Sequence, residues 1–345
     1  MNILIIGTLP PPLGGASVSL SQLIASLQRR GDLGVQVVNT SGVRGHPVLA
    51  VPRFLRIVLR IIWRARCADV ISLQPVPSGL PYIGPVVWLA SRFWRKPYMI
   101  RMFGGIDVNE IGGLRGKLAQ FFVRAADIYL VETKAMIDVA QRAGVRRVEW
   151  YPTGRPMEYD LTSSKGQADQ CKRFVFVGHV KPEKGVHQII ALSGRLPGGV
   201  SIDLYGPLLD GVSASDFKNL DRLNYNGVIR SDEVLNVLST YDALILPSFW
   251  PGEGYPGVLF EAMAVGLPII TTRWRSIPEL VDDSCGILIE PRNTEALQEA
   301  IVRLSSDEQL FQNLRSGAMT RRDLFDANKW SERFVELCRE ICSEN

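Results

Sequence analysis

The sequence has few histidines and cysteines. Its 345 residues include three histidines and five cysteines, and no two cysteines form a C-x-x-C pair. There is no H-E-x-x-H, no D-x-D and no Cys/His cluster, so the sequence predicts no metal site and a metal-independent reaction. An odd number of cysteines without paired spacing is typical of reduced thiols in the cytosol. A cytoplasmic protein without a bound cofactor is therefore expected.

Long hydrophobic runs are also missing. The most apolar stretch, about residues 80–91, is interrupted by Pro81 and Pro85 and is too short to span a bilayer. The chain starts with Met1-Asn-Ile-Leu-Ile-Ile-Gly7, which lacks the basic and apolar regions of a signal peptide. We interpret this segment as a first β-strand.

Acidic residues are scarce in the first half and dominant in the second. Residues 1–165 hold 21 Lys/Arg against 10 Asp/Glu, whereas residues 166–345 hold 18 against 25. This change of sign, from +11 to −7, favours two domains and indicates that the basic half meets an anionic partner. The polar stretch 161–170 lies at the crossover and is interpreted as the linker. No nucleic-acid partner is expected.

Short apolar segments alternate with helical patterns in both halves. This alternation predicts an α/β fold with doubly wound parallel sheets covered by helices. The predicted strands lie near residues 2–7, 35–39, 69–73, 98–102, 127–132, 173–178, 200–205, 242–246, 268–272 and 286–290. A last helix is predicted over about 328–343.

The most informative segment joins one strand to one helix. It runs from Asp242-Ala-Leu-Ile-Leu246, a buried strand, through a Gly/Pro loop to a helix over about 258–265. Glu253 lies in the loop, and Glu261 lies about one turn into the helix. Ligands of open α/β sheets bind at the carboxyl ends of strands, and helix N-terminal N–H groups bind anions such as diphosphates. With two carboxylates to accept hydrogen bonds from hydroxyls, this segment predicts a sugar-nucleotide site.

These residues resemble a known family. Glu253-x7-Glu261 followed by Ala-Met-Ala-x-Gly-x-Pro268 is similar to the signature of the retaining GT-B glycosyltransferases of family 4. The segment Phe174-Val-Phe-Val-Gly178-His-Val-Lys-Pro-Glu-Lys184-Gly185 resembles the opening of that family's second domain. The resemblance covers residues 172–330 and is weaker before them, where the first strand and the Gly14-Gly15 loop match.

The resemblance implies the architecture and the division of the chain. It implies two Rossmann-like domains that face each other across a cleft, the first holding the acceptor and the second the nucleotide sugar. The expected domains are residues 1–165 and 166–327, with a C-terminal helix over 328–345 that crosses back to the first domain.

The resemblance also implies roles for single residues. Glu261 is expected to bind the ribose hydroxyls, Glu253 the transferred sugar, and the backbone N–H groups near Tyr255 and Val258 the diphosphate. Lys184 is expected to neutralise the departing diphosphate, although a solvated turn lysine is the alternative. The full set of expected donor-binding residues is Gly15, His179, Lys184, Ile229, Glu253, Gly254, Tyr255, Pro256, Gly257, Val258 and Glu261, and Glu253 and Lys184 are the expected catalytic residues.

The chain departs from the family pattern at two places. His179 stands where an arginine is usual, and a neutral imidazole lacks the permanent charge of a guanidinium. The loop after the fourth strand lacks the histidine that many members place near the acceptor. Gly14, in the loop after the first strand, and Gly104 and Asp107, in the loop after the fourth, are the acceptor-side candidates. The alternative for Gly14 is a plain strand-to-helix turn, and the alternative for Asp107 is a turn aspartate.

Four arginines lie on one predicted helical stripe that begins near Pro52. Arg53, Arg56, Arg60 and Arg64 fall on one face beside large apolar residues, a pattern typical of helices that bind anionic lipid. An amphipathic helix packed on the sheet is the alternative. We take the stripe to predict peripheral attachment to the inner face of the cell membrane.

Together these patterns predict a retaining hexosyltransferase that moves a sugar from a nucleotide diphosphate to an acceptor hydroxyl. The expected acceptor is a lipid-linked glycan of cell-surface polysaccharide synthesis, or another saccharide. The alternatives are a hydrolysing sugar-nucleotide epimerase of the same architecture and a non-catalytic sugar-nucleotide-binding protein.

Overall fold

The chain folds into two α/β units. The computed structural model of the protein describes residues 1–11, 14–41, 47–104, 112–155 and 170–344, with the backbone alone for 47–50. One unit comprises Met1–Gly154 with Ala327–Asn345, and the other comprises Arg155–Asp326. The division falls between Gly154 and Arg155, before the expected 165/166 boundary, and positions 161–169 of the expected linker lie outside the described residues.

The first unit contains a six-stranded parallel sheet in the order β2-β1-β3-β4-β5-β6. Its elements are β1 (Asn2–Gly7), α1 (Gly15–Gln28), β2 (Gly34–Asn39), α2 (Pro47–Ala65), β3 (Val70–Gln74), α3 (Leu80–Trp94), β4 (Tyr98–Met102), α4 (Gly113–Ala125), β5 (Ile128–Val131), α5 (Ala135–Arg142), β6 (Val148–Trp150) and, from the end of the chain, α12 (Ala327–Ser343).

The second unit repeats this plan in the order β12-β11-β10-β7-β8-β9. Its elements are β7 (Arg173–Val177), α6 (Val186–Ile190), β8 (Ser201–Tyr205), β9 (Leu223–Tyr225), α7 (Val234–Leu238), β10 (Ala243–Leu246), α8 (Gly257–Ala264), β11 (Ile269–Thr272), α9 (Ile277–Leu280), β12 (Gly286–Ile289), α10 (Thr294–Ser306) and α11 (Glu308–Arg322).

Both faces of the first sheet are buried, because successive side chains of a strand point to opposite faces. On β1, Leu4 and Ile6 pack into one apolar cluster and Ile3 and Ile5 into the other. The helices α2, α3 and α4 cover the first cluster, and α1 and α12 cover the second. The near-continuous apolar strands follow from this double burial and explain why the sequence predicts a parallel sheet.

The α/β prediction with doubly wound parallel sheets is confirmed, and two short edge strands, β6 and β9, were missed. The prediction that a helix begins at Pro52 is wrong: α2 begins at Pro47 and Pro52 lies inside it. Pro47 takes the favourable first position, and the exposed Pro52 costs one helical hydrogen bond.

Among the described residues, every helix is too short or too polar to cross a bilayer.

Candidate functional site

The second sheet has a point at which the direction of its winding reverses. From β7 the chain proceeds to β8 and β9 on one side, and then returns to β10, β11 and β12 on the other. The loops 178–185 and 247–256 follow the neighbouring strands β7 and β10. In open α/β sheets, ligands bind at such a switch point, outside the carboxyl ends of the strands. The candidate site is therefore built on these two loops.

The two loops touch through their backbones. Phe249 N–H donates to the Glu183 carbonyl oxygen at 2.8 Å. Gly185 has a φ of 79°, and a Cβ atom there would lie 2.2 Å from the Pro247 carbonyl oxygen. Only glycine combines this left-handed conformation with so close an approach. Gly185 thus fixes the spacing of the loops that carry Lys184 and Glu253.

Lys184 and Glu253 form an ion pair inside the site. The distance from Lys184 Nζ to Glu253 Oε2 is 2.5 Å, with side-chain exposures of 12% and 4%. Ser248 Oγ donates a hydrogen bond to the same carboxylate oxygen. Desolvated charges are tolerated inside a protein when they are paired and hydrogen-bonded. Lys184 is therefore not a solvated turn lysine, since it lies against the carboxylate expected to bind the sugar.

Trp250 lies beneath two cationic side chains. Lys181 Nζ and Lys184 Nζ are 4.8 and 5.1 Å from the centroid of its ring. The Trp250 carbonyl oxygen accepts hydrogen bonds from Glu253 N–H at 3.0 Å and from Trp274 Nε1 at 2.8 Å. The ring and its backbone therefore hold the glutamate loop and the two lysines together.

His179 is exposed at the start of the loop after β7. Its pKa lies below the usual value, because partial desolvation and the positive charges of Lys184 and Lys181 disfavour the imidazolium. The side chain is therefore neutral at pH 7. The charges of Lys184 and Lys181 thus act on His179, but His179 does not supply the permanent charge of the arginine usual at this position.

Glu261 lies on α8, where the sequence placed it, and is held by a residue that the sequence analysis missed. Arg155 Nε is 3.3 Å from Glu261 Oε1, and the two side chains are 6% and 22% exposed. A Cβ atom on Gly257 would lie 2.6 Å from Arg155 Nη2, so the guanidinium reaches the start of α8. No local pattern marks Arg155, since 106 residues separate it from Glu261 in the chain.

The segment before α8 presents the start of the helix to the site. Pro256 is the N-cap, and no side chain caps α8 in this fully described part of the chain. Tyr255 is buried, and its hydroxyl donates to Glu279 Oε2 at 2.5 Å. Uncapped N–H groups at a helix start bind anions. This placement suits the expected diphosphate contacts of the segment 254–258.

Ile229 belongs to a third loop of the same unit. It is half-buried in the loop after β9, at the edge of the sheet, whereas the cluster follows β7 and β10. The loop still projects from the carboxyl ends of the strands. The expected contact of Ile229 with the donor stays a prediction.

The acceptor-side candidates belong to the first unit. Gly14 is the N-cap of α1 and Gly15 is its first residue, and a Cβ atom at either position would meet no described residue within 4 Å. Gly104 follows β4 with a φ of 90°, and its N–H donates to the buried Glu132 at 2.9 Å. Asp107 lies outside the described residues. The expected roles of these residues, including the Gly15 contact with the donor, stay predictions.

Three of the four arginines expected to form an exposed stripe on α2 are exposed, and the fourth is not. Arg53, Arg56 and Arg60 are exposed, whereas Arg64 is half-buried and donates through Nη1 to the Val37 carbonyl oxygen at 2.5 Å. Arg64 therefore ties α2 to β2 and is not available to a membrane in this arrangement.

Across the part of the chain that the structure describes, no three His, Cys, Asp or Glu side chains come together as metal ligands.

Comparisons with known proteins find similarity to glycosyltransferases. Residues 171–307 match the family model "Glycosyl transferases group 1". The chain is 22% identical over 254 residues to the MMP alpha-(1->4)-mannosyltransferase of Mycolicibacterium hassiacum, covering 70% of this chain and 57% of that protein. It is 32% identical over 111 residues to the amylovoran biosynthesis glycosyltransferase AmsK of Erwinia amylovora, covering 31% and 27%. The chain thus spans less than two thirds of the length of these curated relatives.

Among solved structures, the chain resembles Anabaena Alr3699/HepE crystallised in complex with UDP. The TM-score is 0.79 at 20% sequence identity, with 99% of this chain and 100% of that chain covered. The fold is therefore GT-B, and the match to the group 1 glycosyltransferase model lies within the second unit. The fold and this match confirm the resemblance to GT-B glycosyltransferases, whereas retention of configuration and membership of family 4 stay predictions.

Proposed function

We propose that this protein is a retaining hexosyltransferase of family 4 that transfers a sugar from a nucleotide diphosphate to an acceptor hydroxyl. The main supporting observation is that Glu253, paired with Lys184, lies in the loop before α8, while Glu261, paired with Arg155, lies in α8 itself, whose start is uncapped. Two carboxylates beside one anion-binding helix start match the three parts of a sugar nucleotide. The carboxylates bind the sugar and the ribose, and the helix start binds the diphosphate.

The Arg155–Glu261 pair suits ribose recognition. Arg155 Nε contacts Oε1 of the carboxylate, and in this proposal the carboxylate also accepts hydrogen bonds from the ribose hydroxyls. Hydrogen bonds from hydroxyls to a charged acceptor contribute roughly 1.5–3 kcal/mol each. UDP is the first nucleotide to test, because the HepE structure was solved with UDP.

The Lys184–Glu253 pair suits the chemical step. The acceptor oxygen attacks the anomeric carbon, the bond from that carbon to the diphosphate oxygen breaks, and the departing phosphate oxygen takes the acceptor proton. Attack and departure on one face of the sugar retain its configuration and need no protein base. Lys184 stabilises the growing negative charge on the diphosphate, while Glu253 orients the sugar hydroxyls. We propose that this reaction uses neither a metal ion nor another cofactor.

The acceptor belongs, in this proposal, to the basic first unit. A lipid-linked glycan carries a diphosphate at the membrane surface, which suits the excess of 11 positive charges in residues 1–165. The AmsK relative is named for the biosynthesis of a polysaccharide, amylovoran. We propose the same general pathway here, in the cytoplasm at the anionic inner face of the cell membrane, with Arg53, Arg56 and Arg60 contributing to attachment.

Calorimetry with the purified chain tests the donor site. UDP, GDP, ADP and their sugars are titrated in turn, and at least one should bind. Glu261→Ala should then weaken the binding of that donor by on the order of 10–100-fold, the equivalent of about 1.5–3 kcal/mol. The exposed Glu299 on α10 gives the matched control, Glu299→Ala, which should bind the donor normally.

Product analysis then separates transfer from hydrolysis. The donor is incubated with membrane lipid extract, and a retaining transferase should produce a glycolipid with the anomeric configuration of the donor. Release of free epimerised sugar without acceptor would instead identify an epimerase. Binding without turnover in either assay would identify a non-catalytic sugar-nucleotide-binding protein.

A further inference from the structure

The exposed half of α2 is divided lengthwise into two chemically different strips. At 3.6 residues per turn, Leu55, Leu59 and Trp63 follow one another along one strip. These side chains are 55%, 67% and 71% exposed. The arginine strip, formed by residues 53, 56 and 60, runs beside it, and the buried face with Ile57 and Ile61 lies opposite. The apolar strip therefore does not serve the core.

Two neighbouring helices extend the apolar strip. Trp94 Nε1 on α3 donates to the Ile62 carbonyl oxygen on α2 at 3.0 Å, which joins the end of α2 to Phe93 and Trp94. Trp88 on α3 meets Phe121 on α4 with ring centroids 5.5 Å apart. We call the resulting surface the apolar helical face, defined by Leu55, Leu59, Trp63, Leu89, Phe93 and Phe121.

The apolar helical face is unusually exposed for a soluble protein. Phe93 and Leu89 on α3 are 74% and 58% exposed, and Phe121 on α4 is 47% exposed. Scattered single apolar residues on a surface are ordinary, but a contiguous set indicates a binding surface. Its aromatic residues are of the kind that settle at the boundary between lipid headgroups and acyl chains.

The charges around this face select the partner. The sequence contains no Asp or Glu in residues 33–68 or 70–106, nor in α4. Arginines and lysines accompany the apolar residues on all three helices: Arg53, Arg56, Arg60, Arg92, Arg115, Lys117 and Arg124. Positive charge beside an exposed apolar face, without acids, fits an anionic lipid surface. A protein interface is more often depleted of charge at its centre and of mixed sign at its rim.

We propose that the apolar helical face inserts into the headgroup region of an anionic bilayer, with the arginines of α2 contacting the lipid phosphates. Attachment then has a hydrophobic part that salt does not screen, in addition to an electrostatic part that salt does. The proposal builds on the membrane attachment included in the proposed function, but it depends neither on the donor site nor on catalysis.

Vesicle sedimentation of the full chain tests this insertion. Wild-type protein should bind vesicles of phosphatidylglycerol and phosphatidylcholine at low salt, and a measurable fraction should stay bound at 1 M salt. The variant Leu59→Ser/Trp63→Ser/Phe93→Ser should bind at least about 100-fold more weakly, given about 1.5–3 kcal/mol per buried large apolar side chain. Replacing Arg53, Arg56 and Arg60 by Gln should remove the preference for anionic over neutral vesicles.

A matched control uses exposed apolar residues of the second unit. Leu209, Val302 and Leu324 are 38%, 41% and 54% exposed, so their replacement by Ser removes exposed apolar side chains outside the apolar helical face. This control variant should bind vesicles like the wild type. Brominated lipids should quench tryptophan fluorescence in the wild-type protein, and less in Trp63→Phe, because Trp63 enters the bilayer.

Three results would overturn the inference. The first is that wild-type protein does not bind anionic vesicles at low salt. The second is that the serine variant binds these vesicles as tightly as the wild type. The third is a concentration-dependent dimer that the serine variant abolishes without any lipid binding, which would assign the face to a second copy of the chain. Circular dichroism checks that each variant is folded. Vesicle binding by a protein that binds no nucleotide sugar would instead refute the proposed function and leave this inference intact.

Discussion

At the scale of single residues, the Lys184–Glu253 pair permits a sharp prediction about stability. Both side chains are almost fully buried, at 12% and 4% exposure, so each charge depends on the other. Removing one partner of a buried pair typically costs about 3–5 kcal/mol, whereas replacing both charges costs much less. Lys184→Met and Glu253→Gln should each strongly destabilise the second unit. The double variant should lose less free energy of unfolding than the two single variants lose together.

Urea unfolding of the wild type, both single variants and the double variant measures this coupling. The matched pair for comparison is Arg230–Asp232, whose side chains are 75% and 65% exposed. Exposed pairs contribute about 0–1 kcal/mol, so the same cycle at Arg230–Asp232 should show little coupling. Additive effects at Lys184 and Glu253 would mean that the two charges do not stabilise one another.

The sequence predicted the acidic residues of the site better than their partners. Glu253 and Glu261 stand in a local strand–loop–helix pattern, and the structure places both in that loop and helix. Arg155 and Lys184 reach them across 106 and 69 residues of sequence, and pairing at such distances leaves no local pattern. The lysine was found through the resemblance of its loop, but its direct pairing with Glu253 was not predicted.

At the scale of elements, the prediction concerns the apposition of the loops after β7 and β10. Gly185→Ala places a Cβ atom 2.2 Å from the Pro247 carbonyl oxygen at a φ of 79°. A left-handed conformation alone costs a non-glycine residue roughly 1–2 kcal/mol, and the backbone clash adds to that. We expect a large loss of stability in the second unit and weakened donor binding, because the loops must separate.

Gly194 provides the matched control for Gly185. Its φ is 73°, and a Cβ atom there would have none of the described residues within 4 Å. Gly194→Ala therefore carries the conformational strain without the clash. Thermal unfolding should rank wild type above Gly194→Ala and Gly194→Ala above Gly185→Ala. Equal effects of the two substitutions would show that the loop contact adds nothing to stability.

The elements themselves were largely predictable, for a physical reason. Strands buried on both faces are continuous apolar runs, and these runs stand out against the helical periodicity between them. The two missed strands, β6 and β9, have three residues each and lie at the sheet edges, where fewer apolar residues are needed. Pro52 was taken as a helix start because a proline favours that position, but Pro47 occupies it instead.

At the scale of the whole molecule, the chain returns to its first unit through α12. Phe334, Leu337 and Ile341 of this helix are buried among residues of β1, β3 and α1. Burial of this kind could not be deduced from periodicity, since an amphipathic helix does not specify the sheet it covers. The core of the first unit therefore includes the C-terminal segment of the chain, so a change in α12 should destabilise the first unit selectively.

The variant Phe334→Ala/Ile341→Ala tests this dependence. Large-to-small changes in a core cost about 2–5 kcal/mol each, so the pair approaches the whole stability of an ordinary domain, about 5–15 kcal/mol. Hydrogen exchange followed by mass spectrometry should show lost protection in β1 and β3 and unchanged protection in β7 and β10. Glu332→Ala/Glu336→Ala changes the exposed side of the same helix and should leave both sheets protected. If Phe334→Ala/Ile341→Ala lowers hydrogen-exchange protection equally in both sheets, the two units unfold cooperatively. The second unit would then not be stable on its own, although its sequence is contiguous.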